Sequence, residues 1–179
     1  MAKQPFDPLD FSQLMVSTYN KEYTGTSNYT LSLTDLNAIT PLVENVNAVS
    51  QILSSQLRGK NGTVLKNVIK KCLSTNACPS FDKSIYIDLC QFYKNLLKSV
   101  DSLKLAKSVF HQFKQMLIAG IALFPKIIKA NVTSKNYRQQ PAGLSIYFGK
   151  HSVDPSYYGL YWTERNPNWL NLLEAYVEG

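Results

Sequence analysis

The feature that most constrains this chain is an apolar stripe over Leu103, Ala106, Phe110, Phe113, Leu117, Ile121, Phe124 and Ile128. Steps of three and four place these side chains on one face of an α-helix. Leu105, Val109, Met116 and Ile127 widen the stripe, so the helix is expected to cross the core. Its expected span is Ser102 to about Val132. Gly120 and Pro125 predict a kink or break, because proline lacks a backbone donor. A rod of that length must be covered, and 179 residues supply one sizeable core around it.

The rest of the chain supplies the cover. Phe11, Leu14, Met15, Thr18, Tyr19 and Tyr23 share a helical face, with Asp10 as the expected N-cap and Gly25 as the stop. Tyr29 to Leu33 alternates and is rich in β-formers, which predicts a strand. Leu42, Val46, Val49, Leu53 and Leu57 form a one-sided stripe, and Pro41 fits a first helical turn, so a helix should begin near Thr40. Val64, Leu65, Val68 and Ile69 suggest a short helix. Ile85 to Leu89 could begin a strand, or Asp88 could cap a helix through Phe92, Leu96 and Val100; the helix starting near Asp88 is preferred. Ala142 to Gly149 is a short apolar run between turn residues and predicts a buried strand. Asp154-Pro155 and Asn166-Pro167 are turn initiators, and a last helix should open at Asn168 and run through Leu173 and Tyr176. The expected class is α/β (α+β), helix-rich, with few strands, and a single domain over residues 1–179.

Composition excludes several classes. An aromatic content of 12% is foreign to disordered chains, and eight Gly with eight Pro exclude collagen-like repeats. The longest nearly uncharged apolar stretch, Gln115 to Pro125, is far short of the roughly 20 residues that span a bilayer. No transmembrane segment is expected. The opening Met-Ala-Lys-Gln-Pro-Phe-Asp-Pro lacks an apolar signal core and reads as a trimmed start, so compartment stays unknown. Net charge is +7 but uneven: residues 57–138 carry fifteen Lys and Arg against three Asp, while both flanks are acidic. This basic helical subregion could be a solvated face or could meet an acidic partner, a membrane or a polyanion. Thirteen of the fifteen are Lys, strung along helices, so nucleic acid is not the expected partner.

Catalytic chemistry is hard to find. Gly-rich phosphate loops, a His-Glu-x-x-His helix and an EF-hand loop do not occur. Gly143-Leu144-Ser145-Ile146-Tyr147 begins like a nucleophile elbow but lacks its second Gly. Cys72, Cys78 and Cys90 are odd in number and lack a second pair at zinc spacing, so no metal or cofactor is expected. A Cys72–Cys78 bridge could close the intervening loop in an exported protein. Asn28, Asn61 and Asn131 start glycosylation sequons of the kind an Asn-rich chain shows by chance. A dyad of Cys72, Cys78 or Cys90 with His111 or His151 is formally open, though Cys90 reads as a buried structural thiol and His111 as a helix-boundary residue. The close carboxylate pairs, Asp82/Asp88 and Glu174/Glu178, carry no catalytic signature. From chemistry alone no catalytic residue is assigned, and no binding residue is identified.

Three segments in order nevertheless point to a family: Val16-x-x-Tyr19-x-x-x-Tyr23 running into Tyr29 to Leu36, then Ile87-Asp88-Leu89-Cys90-Gln91-Phe92, then Gly143-Leu144-Ser145-Ile146-Tyr147-Phe148 with the closing Trp169-Leu170-x-x-Leu173-x-x-Tyr176. Together, over about Met15 to Tyr176, they resemble the C-terminal part of clostripain-like cysteine peptidases of the caspase-like clan. The resemblance implies that Leu31, Leu33, Leu144 and Ile146 lie in one caspase-like sheet flanked by long helices. It implies an export or cell-envelope setting and peptide or protein substrates for the parent enzyme. The family's dyad is a His followed by Gly and a Cys at an Asp-Ala-Cys strand end. Here His111 precedes Gln and His151 precedes Ser, while Asn76-Ala77-Cys78 follows a polar loop, so no catalytic role is carried over. The expected function is therefore a non-catalytic supporting region, docked on an N-terminal catalytic half and inactive alone. The alternatives are a stand-alone basic helical module binding a protein or polyanion, and a small complete cysteine hydrolase. Docking predicts an uncovered apolar patch larger than the roughly few hundred Å² usual for a monomer.

Overall fold

The computed structural model describes residues 7–25, 28–81, 83–137 and 139–178. Helix α1 (Pro8–Tyr23) starts one turn earlier than expected. Asp7, not Asp10, is its N-cap: the carboxylate accepts from Leu9 N at 2.8 Å, and Pro8 supplies a preset φ for the first turn. Gly25, at φ 91°, turns the chain out of the helix. Strand β1 (Thr30–Thr34) follows, then a 3-10 turn over Leu36–Ala38 capped by Asp35. Helix α2 (Thr40–Leu57) begins where Pro41 placed it, and its whole expected stripe is buried. Ser50 and Ser54, also buried in α2, return their hydroxyls to the carbonyls of Val46 and Gln51. Helix α3 (Gly62–Cys72) opens on a glycine whose absent Cβ would collide with the Leu57 carbonyl, so the α2–α3 turn admits no side chain there.

Both readings at Asp88 hold at once. Strand β2 (Tyr86–Asp88) ends on Asp88, whose side chain caps helix α4 (Leu89–Lys98) by accepting from Gln91 N at 2.7 Å. A 3-10 turn over Val100–Leu103 and Lys104 at φ 51° precede helix α5 (Lys107–Ile127). The expected rod is thus shorter at both ends. Gly120 does not break it: a Cβ there would stand 2.5 Å from the Tyr93 ring, so the glycine lets α5 lie hard against α4. The break comes two residues after Pro125, where the chain becomes strand β3 (Ile128–Thr133). Strand β4 (Ser145–Tyr147), a 3-10 turn over Pro155–Tyr157 capped by Asp154, helix α6 (Tyr161–Arg165) and helix α7 (Pro167–Glu178) complete the chain.

The single shared sheet is corrected. β1 pairs antiparallel with β3, from Thr30 opposite Thr133 to Leu33 opposite Ala130, with an irregularity after Leu33. β2 pairs antiparallel with β4, Tyr86 opposite Tyr147 and Asp88 opposite Ser145. The described strands form these two separate two-stranded sheets, so Leu33 and Ile146 are not neighbours in one layer. A helical core joins them: α2 packs on α5 and α7, and α4 on α5. At its centre Phe148 meets Phe92, Trp169 and Tyr176 edge-on, with ring centroids 5.1–5.8 Å apart.

The α1 stripe is also corrected. Val16 is the buried residue of α1, while Leu9, Phe11, Leu14 and Met15 face solvent, Leu14 at 58% exposure. The side that packs on β1 and β3 carries Val16, Tyr19 and Asn20, and the Asn20 amide oxygen accepts from the Tyr29 hydroxyl at 2.9 Å.

Candidate functional site

The loop Pro141–Leu144 is where the two sheets are tied together. Asp88 is fully buried, and its second carboxylate oxygen accepts from Ala142 N at 2.7 Å. Leu144 O accepts from Leu89 N at 3.1 Å. From the other sheet, Asn131 on β3 donates its amide to Pro141 O at 2.7 Å, and Ser32 on β1 donates its hydroxyl to Gly143 O. Gly143 sits at φ 99°, with Ser32 and Asn131 pressed against it, so a side chain at this position would be strained and crowded. Burial outweighs the backbone N–H bonds from Gln91, Ala142 and Gly143 and the nearby Lys94 charge, and holds the Asp88 carboxyl above the usual carboxylate range.

The thiols surround this junction without being activated. Cys72, Cys78 and Cys90 are free and buried. Burial raises all three; Cys78, which also feels the Asp88 charge, is pushed up to about 12. A nucleophilic cysteine needs the opposite shift. The Cys72–Cys78 bridge is not formed. Its loop is clasped by Asn95 of α4, whose amide donates to Cys72 O at 3.0 Å and Ala77 O at 2.8 Å while its oxygen accepts from Gln91 Nε2 at 2.9 Å. The Cys78 thiol donates to Asp88 O, 3.5 Å away.

The histidines are elsewhere. His111 is exposed on α5 with Nδ1 at 2.9 Å from Lys107 O, and His151 is exposed in the loop after β4. Among the described residues, neither imidazole is hydrogen-bonded to a sulfur. Ser145, the elbow-like serine, is exposed on β4. Asp82 lies outside the described residues. Glu174 is half-buried against the Tyr158 hydroxyl, and the exposed Glu178 lies near enough to act on the same Tyr158. The described residues hold no cluster of three metal-ligating side chains, and no described helix is long and apolar enough to cross a membrane.

One concave site does stand out. An apolar cavity of about 360 Å³ lies between α2, β4, α6 and α7, lined by Val43, Val46, Trp162 and Leu173 and by four consecutive residues, Leu144 to Tyr147. That volume is within the roughly 300–1,000 Å³ of ligand pockets. Its polar groups are few: Thr163, Ser145 and a hydroxyl pair, Tyr157 to Tyr86, at 3.1 Å. Tyr157 stacks on Tyr147 at 3.7 Å, and Trp169 donates its indole N–H to Tyr147 O at 3.0 Å, which fixes the cavity's floor. Sequence reasoning missed both this cavity and the Asn95 clasp. The cavity is a gap between elements far apart in sequence, and no local pattern encodes it.

A model of the clostripain family matches residues 2–174. No curated protein and no solved structure matches the chain. The match takes in both sheets, the core helices and the Asp88–Gly143 junction. It covers most of the chain, and this protein belongs to the clostripain family, a family of cysteine peptidases.

Proposed function

We propose that this chain is a supporting region of a clostripain-like cysteine endopeptidase, C-terminal in the parent and caspase-like in its full sheet. In this reading a separate His/Cys half performs cleavage of protein substrates, and residues 7–178 act as one unit that docks against it. The observation that carries the reading is the outer side of α1, where Leu14 and Met15 are 58% and 55% exposed. A helix whose apolar residues outnumber those its own chain buries is a helix awaiting cover. The buried, unactivated thiols support the same reading.

The test has two arms. The folded chain, treated with iodoacetamide at pH 8, should keep Cys72, Cys78 and Cys90 unalkylated and should not cleave casein. Adding a separately produced clostripain-type segment that carries the His-Gly and Asp-x-Cys strand ends should give cleavage and should protect Met15 from oxidation. Casein cleavage by the chain alone, abolished by Cys78→Ser or Cys90→Ser, would overturn the proposal.

A second reading has its own observation. Every described Lys and Arg of residues 57–138 is exposed except the half-buried Lys66, whose ammonium lies 5.5 Å over the Tyr176 ring. The ion pair described among them is Lys129 with Asp35 at 3.4 Å. So large a surplus of unpaired positive charge suits an anionic partner. Retention on heparin that collapses between 50 and 200 mM salt (roughly the range over which polyelectrolyte contacts weaken) would favour that module; elution without retention at 50 mM would remove it.

A further inference from the structure

We infer that the cavity between α2, β4, α6 and α7 is a binding site for an uncharged aromatic molecule of one or two fused rings that carries a single hydrogen-bond acceptor. At about 360 Å³ the cavity lies at the small end of ligand pockets, which run from roughly 300 Å³ upward. Its walls set the class of occupant. None of the lining residues is charged, so a carboxylate or ammonium entering it would lose water and gain no ion partner. Five of them are aromatic: Tyr86, Tyr147, Tyr157, Trp162 and Trp169. Aromatic rings favour other rings stacked offset or meeting them edge-on, as Tyr157 already stacks on Tyr147 at 3.7 Å. A polar handle is left over. Tyr157 donates its hydroxyl to Tyr86 at 3.1 Å, and each phenol carries its own hydroxyl proton, so the bond between them leaves one O–H to donate. A ligand carbonyl is the complement of that donor.

The walls are held so that the space persists. Protein interiors pack with few voids larger than a water, so a gap of this size needs fixed borders. Helix α6 is fixed twice. Thr163 shares its hydroxyl proton between Tyr157 O at 2.7 Å and Leu160 O at 2.8 Å. Asn166 returns its backbone and side-chain N–H groups to Trp162 O at 2.8 and 3.1 Å. Both residues are buried. Asn168 N donates to Asn47 Oδ1 at 3.3 Å and ties α7 to α2, while the Trp169 indole on Tyr147 O fixes α7 against β4. That indole also covers the outer side of β4, so the occupant is not a further strand. Leu160 lines the cavity and is 41% exposed, so the space reaches solvent beside α6. A preformed apolar space with one donor takes its ligand without first having to order its walls. None of the lining residues belongs to α1, and the site stands whether or not a catalytic half docks there.

The probe is 2-acetylnaphthalene, titrated into the ¹⁵N-labelled chain. The chain has two Trp, and both Trp162 and Trp169 line the cavity, so their indole N–H signals report on it directly. The signals should shift and saturate together, and the thermal midpoint should rise with probe concentration, as it does for a ligand of the folded state alone. The anionic 2-naphthoate, with the same ring system, should bind at least about tenfold more weakly. The open-chain ketone 2-dodecanone, matched in carbon and oxygen atoms, should also bind more weakly. On the protein, Tyr86→Phe combined with Tyr157→Phe removes both hydroxyls. It should weaken 2-acetylnaphthalene about three- to tenfold, the worth of one hydrogen bond, and leave naphthalene unaffected. Val43→Phe narrows the cavity from α2 and should remove binding while circular dichroism stays unchanged; if that variant does not fold, the ligand series on the native chain decides. Unshifted tryptophan signals at the probe's solubility limit, equal affinity for the naphthoate or the dodecanone, equal losses for both naphthalene compounds in the double variant, or undiminished binding in a folded Val43→Phe would each overturn the proposal.

Discussion

The helical core and the α1–β1–β3 layer are built from similar residues but to different completeness. In the core, the stripe of α2 and the aromatic cluster around Phe148 are buried almost without remainder, and the polar loop between Cys72 and Cys78 is tied down by Asn95. In the outer layer, α1 buries Val16 and leaves four large apolar residues in water. Local sequence makes α1 as good a helix as α2, with a capping Asp7 and Pro8. What differs is the availability of a second surface. The lesson is that the chain spends most of its elements on one core, while α1, among the described residues, packs on β1 and β3 by one side alone.

Four measurements can break or sharpen that contrast. Phe148→Ala should be the most damaging change, at about 3–5 kcal/mol by chemical denaturation, because three rings lose their shared contact and the site cannot collapse. Asn95→Ala should cost about 2–4 kcal/mol, since it leaves the buried Cys72 carbonyl, the half-buried Ala77 carbonyl and Gln91 without their partner. A loss below about 1 kcal/mol would mean that the Cys72–Cys78 loop is not held by this clasp.

Asp88 gives a pH-dependent test. Its folded carboxyl titrates above the unfolded value, so its contribution is fully present below the unfolded pKa of about 4 and is lost as pH rises through the raised one. Denaturation of wild type and Asp88→Asn across pH 3 to 8 should show wild type losing ground to the variant as pH rises. The opposite slope would mean that the hydrogen bonds from Gln91 and Ala142 outweigh burial. Smallest of all, Leu14→Gln should change stability by no more than about 0.5 kcal/mol, because an exposed apolar side chain holds nothing in the free chain. A loss of 2 kcal/mol or more, about the effect of emptying a core position, would show that α1 is already covered.

Legibility followed from how local each signal is. The α2 start and stripe, the α3 helix and the Asp88 cap were readable because proline geometry, apolar spacing and capping act within one turn. The C-terminal end of α5 was not. Ile128 and Val132 lie four apart, which suits one helical face, but they are also an even number apart, which suits one face of a strand. Pro125 withdrew a helix donor nearby, and β1 offered a ladder; neither fact dominates until the strands meet. The α1 stripe was legible as a helix and misleading as core, because periodicity reports that a helix is two-sided and not which side is covered.

The sequence by itself determined a helix-rich α+β chain, six of its helices in outline, a basic middle and a resemblance to the clostripain family that the family match bears out. Only the tertiary structure decided that the four described strands make two sheets joined through Asp88 and Gly143, that the thiols are buried and raised, and that β4 borders a cavity. The physical reason is range. Caps, turns and apolar periods act over a few residues, whereas strand partners, burial and cavities depend on which distant surfaces find each other.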